Sequence, residues 1–245
     1  MPWRSCAWRR PSPACSSIRR WVEAGDCKRI LKIGAIRVTT LTAAQQRLHA
    51  AALKLFAERG VTQVNVRELA HAAGVARGTV YNNLSDPARL FDEVAAQFAE
   101  EMNDRIVAGF DGITDPAQRL ANGIRLYIRR AHEEPHWGRF LTHFGCSNAS
   151  LQQIWKGQPA LDLMEGLQTG RYHFQPEQLA SVIGLLGGSV LGAIFVVLEG
   201  FKTWRDAGSD TAELVLVSLG VSRAEARALA SAPLPASRPS TTQAA

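Results

Sequence analysis

The chain has 245 residues, 46% of them apolar, and a formal net charge of +6, which suits a protein with a buried core and excludes a collagen-like or fully disordered chain. The charge is unevenly placed: residues 1–41 hold nine Lys/Arg against two acids, a surplus of seven, so the remainder sums to −1. Bulk attraction to nucleic acid is thereby excluded for the body of the chain, and any such role has to rest on a local basic face.

Residues 1–41 mix Arg, Pro, Ser and Cys with Trp3, Trp8 and Trp21 and hold no sustained period. They read either as a disordered basic arm or as sequence translated upstream of a mis-assigned start. A secretory signal needs a basic start followed by an apolar run of roughly 7–15 residues, and Arg, Pro and Ser interrupt every such run here. Cys6, Cys15, Cys27 and Cys146 form neither a C-x-x-C pair nor a zinc-finger spacing, so they read as free thiols of a cytoplasmic protein.

From Thr42 the pattern changes. Leu48, Ala51, Ala52, Leu55 and Phe56 form one apolar helical stripe, with Thr42 and Gln45 as a capping box and Gly60 as the stop. Asn65 and Glu68, read as a cap and its N3 partner, open a short helix through Leu69, Ala70 and Ala73 to Gly74. Val75 and Ala76 lead into a third helix over Arg77–Leu84. Asp86 caps a fourth, with Pro87 at N1 and Leu90, Phe91, Val94, Ala95 and Phe98 inward, ending near Ile106.

Asp115 and Pro116 repeat the cap-and-proline start for a helix through Leu120, Ile124, Tyr127 and Ile128, which ends near Glu133. Further helices are predicted over Trp137–Phe144, Ser150–Leu167, Pro176–Trp204 and Thr211–Leu219. The tail from Ala232 reads as disordered. With almost no strand signal, the expected class is all-α, divided into the arm (1–41), a helix-turn-helix domain (42–88), a helical domain (89–230) and the tail (231–245).

A helix-turn-helix needs two short helices, a turn that tolerates glycine, and small residues where the helices cross. Residues 66–84 meet this with Ala70, Ala73 and Gly74, and with Val75 and Val80 seating the second helix on the first. Arg77, Gly78, Thr79, Tyr81 and Asn82 then point outward, a set suited to guanine, adenine and phosphate contacts. Arg47, Lys54 and Arg59 on the preceding helix brace the pair.

The segments Phe56-Ala-Glu-Arg-Gly60, Val66-Arg-Glu-Leu-Ala70 and Ala73-Gly-Val-Ala-Arg-Gly-Thr-Val-Tyr81, spread over residues 42–98, resemble the tetracycline-repressor-like family of transcriptional regulators. The resemblance implies a three-helix DNA-binding domain followed by a helical domain that dimerises and binds a small effector. It also implies that effector binding shifts the fourth helix and releases a double-stranded DNA operator. Three positions depart from the family pattern: Ala76 replaces a capping Ser or Thr, Leu84 an aromatic residue, and Pro87 a phosphate-binding Lys.

The expected DNA-binding set is Arg47, Asn65, Arg67, Arg77, Gly78, Thr79, Tyr81, Asn82 and Asn83. Tyr127, Trp137, Phe140, His143, Phe144, Trp155, Met164, Tyr172 and Phe174, aromatic with polar tips, are the candidates for an effector pocket. Gly184, Gly188, Gly192 and Phe195 mark one face of a helix expected at the homodimer interface. Its stretch Val182–Leu198 is seventeen residues without a charge, which by length alone also suits a short membrane span, but Glu199, Lys202, Arg205 and Asp206 follow at once. His132-Glu133-Glu134-Pro135-His136 matches the H-E-x-x-H string of zinc peptidases, yet Pro135 breaks the helix that would bring the two histidines together. No metal, cofactor or enzymatic activity is therefore expected. The alternative reading is a non-specific DNA-binding protein driven by the basic arm.

Overall fold

The computed structural model describes residues 41–84, 86–110 and 112–235, so the expected arm, Leu41 apart, and the tail beyond Pro235 lie outside the described residues. Among the described residues the chain is helical without strands. Three helices come first: α1 (Ala43–Arg59), α2 (Val66–Ala73) and α3 (Arg77–Asn83). The Thr42–Gln45 capping box closes as expected and Gly60 ends α1 at φ 64°. Asn65 caps α2 by accepting from Arg67 N–H at 2.8 Å. Glu68 does not complete that cap; it accepts from Arg59 at 2.8 Å and ties α2 to α1 instead.

A 3₁₀ turn, Pro87–Arg89, under the Asp86 cap leads into α4 (Leu90–Ala108). The body then adds α5 (Pro116–Glu133), α6 (Pro135–Phe144), α7 (Ala149–Lys156), α8 (Gln158–Gln168), α9 (Leu179–Leu198), α10 (Trp204–Ser218) and α11 (Arg223–Ser231). Helix α5 is the spine, with α6, α8, α9, α10 and α11 all packed against it.

Three elements differ from expectation. The helix predicted over Ser150–Leu167 is two helices, because Pro159 lacks an N–H and fits only in a first turn; the chain leaves helical geometry at Gly157 and restarts. The helix predicted to reach Trp204 stops at Leu198, Gly200 turns at φ 75°, and Thr203 caps α10 seven residues earlier than the predicted start at Thr211. Helix α11, capped by Ser222, was not expected at all.

The first three helices are held to the body by an aromatic cluster. Phe56 of α1 meets Phe91 of α4 edge-on at 5.1 Å and Phe140 of α6 at 6.3 Å, while Phe91 meets Phe144 at 4.9 Å. His49 of α1 adds a 2.6 Å hydrogen bond to Gln97 Oε1 of α4. Trp137, Phe140 and Phe144, expected in an effector pocket, are thus core residues: they complete the apolar face of α6 where it meets α1, α4 and α5.

Candidate DNA interface and ligand cleft

Gly74, at φ 64°, turns the chain sharply between α2 and α3, and fully buried Val80 seats α3 on the α1–α2 pair. Arg77, Gly78, Tyr81 and Asn82 are exposed, Tyr81 by 63%, although an aromatic ring without a partner would ordinarily be buried. Thr79 is half-buried on the same helix. Arg47, Arg67 and Arg77, one from each helix, are exposed, and among the described residues none faces a carboxylate. Nothing lies within 4 Å of a Cβ added at Gly78, so no intramolecular packing demands glycine there; the open space suits close approach of a second molecule.

Two expected contact residues have other roles. Asn83 braces the reading helix: its Nδ2 donates to Thr79 O at 2.8 Å, its Oδ1 accepts from the Thr42 hydroxyl at 3.3 Å, and its carbonyl accepts from Gln45. Asn65 Oδ1 is engaged by the α2 cap. Ala76 supplies no side-chain cap to α3.

A narrow cleft opens in the body between the C-terminal end of α4, α5, the α7–α8 junction and α9. Phe110, Tyr127 and Trp155 give it aromatic walls, and Arg119, Gln158 and Asp162 form a polar end. Tyr127 and Trp155 lie 5.6 Å apart, and burial pushes the Tyr127 hydroxyl far above its ordinary pKa, which keeps it neutral. Helix α4 connects the two regions: Phe91 at its start packs on α1, and Ile106 near its end lines the cleft. Its 19 residues span about 28 Å.

Comparison with known proteins matches both parts of the chain to known domains. Residues 48–94 match the bacterial regulatory proteins of the tetR family, and residues 115–232 match the tetracyclin repressor-like C-terminal domain. The structure of the regulator RolR in complex with resorcinol is 31% identical, covers 80% of this chain and 96% of RolR, and superposes with a TM-score of 0.61. The chain belongs to the tetracycline-repressor family. Among curated relatives, AcrR of Shigella flexneri is 40% identical over 60 residues, 24% of this chain and 28% of AcrR. KstR2 of Mycolicibacterium smegmatis is 29% identical over 85 residues, 35% of this chain and 41% of KstR2. The chain therefore spans less than half the length of either curated regulator. The family matches begin beyond the basic arm, and an arm-driven, non-specific DNA-binding protein is not favoured.

Of the nine residues expected in the effector pocket of this family member, Tyr127 and Trp155 line the cleft. His143 is exposed beside Gly60, and Met164 and Phe174 are half-buried away from the cleft. Tyr172 is buried with its ring against Gly166, where any added Cβ would collide with it. Sequence reasoning missed the polar end. Arg119, Gly123 and Tyr127 recur every fourth residue on α5, as do Gln158 and Asp162 on α8, so each set shares a face; charged residues in amphipathic helices ordinarily read as solvent-facing.

Gly184, Gly188, Gly192 and Phe195 lie on the exposed face of α9, opposite its buried side (Ile183, Leu186, Val190 and Ile194). A Cβ added at any of the three glycines meets nothing within 4 Å. The segment Pro176–Leu198 is long and apolar enough to cross a membrane by length and composition. The H-E-x-x-H string is split between helices: Glu133 ends α5 and Pro135 starts α6. Among the described residues no group of three or more His, Cys, Asp or Glu is placed to hold a metal ion.

Proposed function

We propose that the chain is a homodimeric transcriptional repressor that reads a near-palindromic operator with α3 and leaves it when a small molecule enters the cleft. The observation that carries this is α4, one continuous helix with one end packed on α1, which supports the reading helix, and the other lining the cleft. A ligand that repositions Ile106 or Phe110 moves a rigid rod whose far end holds Phe56. Arg47, Arg67 and Arg77 supply phosphate and guanine contacts, and Thr79, Tyr81 and Asn82 complete the reading face. Two copies joined through the exposed faces of α9 and α10 place their α3 helices in successive major grooves, about 34–36 Å apart. The resorcinol bound to RolR supports a small aromatic effector. Such a regulator works in the cytoplasm, on DNA.

Fluorescence titration of the full chain with DNA flanking its own gene tests this. Tight binding to one near-palindromic site, lost on scrambling that site, is expected; equal affinity for scrambled DNA refutes the operator claim.

A further inference from the structure

The polar end of the cleft is built around a carboxylate and, among the described residues, offers no free cation. Asp162, 1% exposed, lines the cleft beside Gln158 and Arg119. Its Oδ1 accepts from Arg119 Nε at 2.7 Å and from Gln158 Nε2 at 2.9 Å, and among the described residues no donor reaches Oδ2. Arg119 is already committed. It also donates to the Ile113 and Thr114 carbonyls, at 3.2 and 2.8 Å, and to Glu165, which engages four of its five N–H groups. Against this single cation stand two carboxylates, Asp162 and Glu165. An anionic ligand would meet net negative charge and no open guanidinium fork.

We infer that the cleft takes a neutral, single-ring aromatic compound bearing a hydroxyl group, whose O–H donates to Asp162 Oδ2, and that it discriminates against carboxylates and phosphates. The inference rests on the reading of the cleft as the effector site. Phe110, Tyr127 and Trp155 provide ring faces for one planar compound, and the narrow space between them suits one ring rather than a fused or long-chain ligand. Burial raises the Asp162 carboxyl above its usual range despite the bonds from Arg119 and Gln158, as befits a carboxylate short of donors. A ligand hydroxyl supplies the missing donor, whereas a ligand without one leaves that oxygen buried and unpaired.

Isothermal titration calorimetry of the full chain with resorcinol, 1,3-dimethoxybenzene and benzoate tests the assignment. Resorcinol should bind about ten- to hundredfold tighter than its dimethyl ether, as expected for one hydrogen bond to a charged group, with benzoate weakest. Asp162→Asn should narrow the resorcinol-to-ether ratio. Gly123→Ala adds a methyl that meets only the Phe110 ring, at 3.8 Å, so the chain folds with a narrower cleft and binds both neutral rings more weakly. Equal affinity for the ether, a preference for benzoate, no measurable binding of any ring compound, or an unchanged ratio in a folded Asp162→Asn chain overturns the inference. The calorimetry contains no DNA. A chain that selects resorcinol but ignores its operator therefore overturns the regulatory role alone, and one that binds its operator but takes no hydroxylated ring overturns the ligand class alone.

Discussion

Ala76 leaves the first turn of α3 without a side-chain acceptor, although its extended backbone (φ −70°, ψ 151°) is that of an N-cap residue. Ala76→Ser should therefore stabilise the chain by about 1 kcal/mol, read as a higher denaturation midpoint in urea. Gly78, on the same turn, should separate stability from function. Gly78→Ala gains up to about 1 kcal/mol of helix stability while weakening operator binding, because the methyl occupies space the protein itself leaves empty. A Gly78→Ala chain that binds its operator as tightly as the parent would remove Gly78 from the interface. At Asp115, burial works to raise the carboxyl, but the bonds from Arg171 and from Ala117 N–H outweigh it and hold the group below its usual range. Its contribution is thus present above the unfolded value near pH 4 and is lost as pH falls through the folded value. Asp115→Asn keeps a good cap and removes the charge, so it should cost no more than about 1 kcal/mol at pH 7, with the deficit vanishing in acid-denaturation curves once pH has fallen through the folded value.

Among the elements, α4 and α5 carry the communication in the proposed mechanism. Arg130 of α5, with a 4% exposed side chain, bonds Glu101 of α4 at 3.2 Å and Glu134 at 3.3 Å, and lies over the Trp137 ring at 4.7 Å and the Phe98 ring at 5.9 Å. Arg105 also pairs with both acids, so Arg130→Met leaves each carboxylate one cationic partner and the helix in place. It should reduce the drop in operator affinity that effector causes more than it reduces stability; an unchanged drop would show that α4 moves without this clamp. How much of this was legible depended on the range of the interaction that decides each element. Thr42, Asn65, Asp86 and Asp115 cap helices through neighbours two or three residues away, and the sequence reveals each of them. The α7–α8 break was decided just as locally, by Pro159, but a continuous apolar pattern masked it. The cleft was not legible, because Arg119 and Asp162 lie 43 residues apart and only tertiary packing makes two charges an inner wall. The same holds for Trp137, Phe140 and Phe144, whose aromatic pattern fits a pocket and a core equally well until α1 is docked on α6.

For the whole molecule, the decisive surface is the one left open. Leu185 and Phe195 on α9 and Leu214 on α10 are at least half exposed, around the open glycine ridge. Gly188→Glu should leave each protomer folded, since nothing within 4 Å meets its Cβ, yet shift the chain from dimer to monomer in analytical ultracentrifugation and abolish tight operator binding with it. A dimeric Gly188→Glu chain would place the interface elsewhere. In the proposed dimer the same ridge makes abundance a thermodynamic variable. A protomer diluted away from its partner shows water an apolar strip of membrane-spanning length, so its melting temperature should climb with protein concentration and its lone form should be the one that aggregates or is degraded. A cell that keeps few copies of such a regulator consequently holds some of them as lone protomers, and the supply of paired reading heads falls faster than the supply of chain.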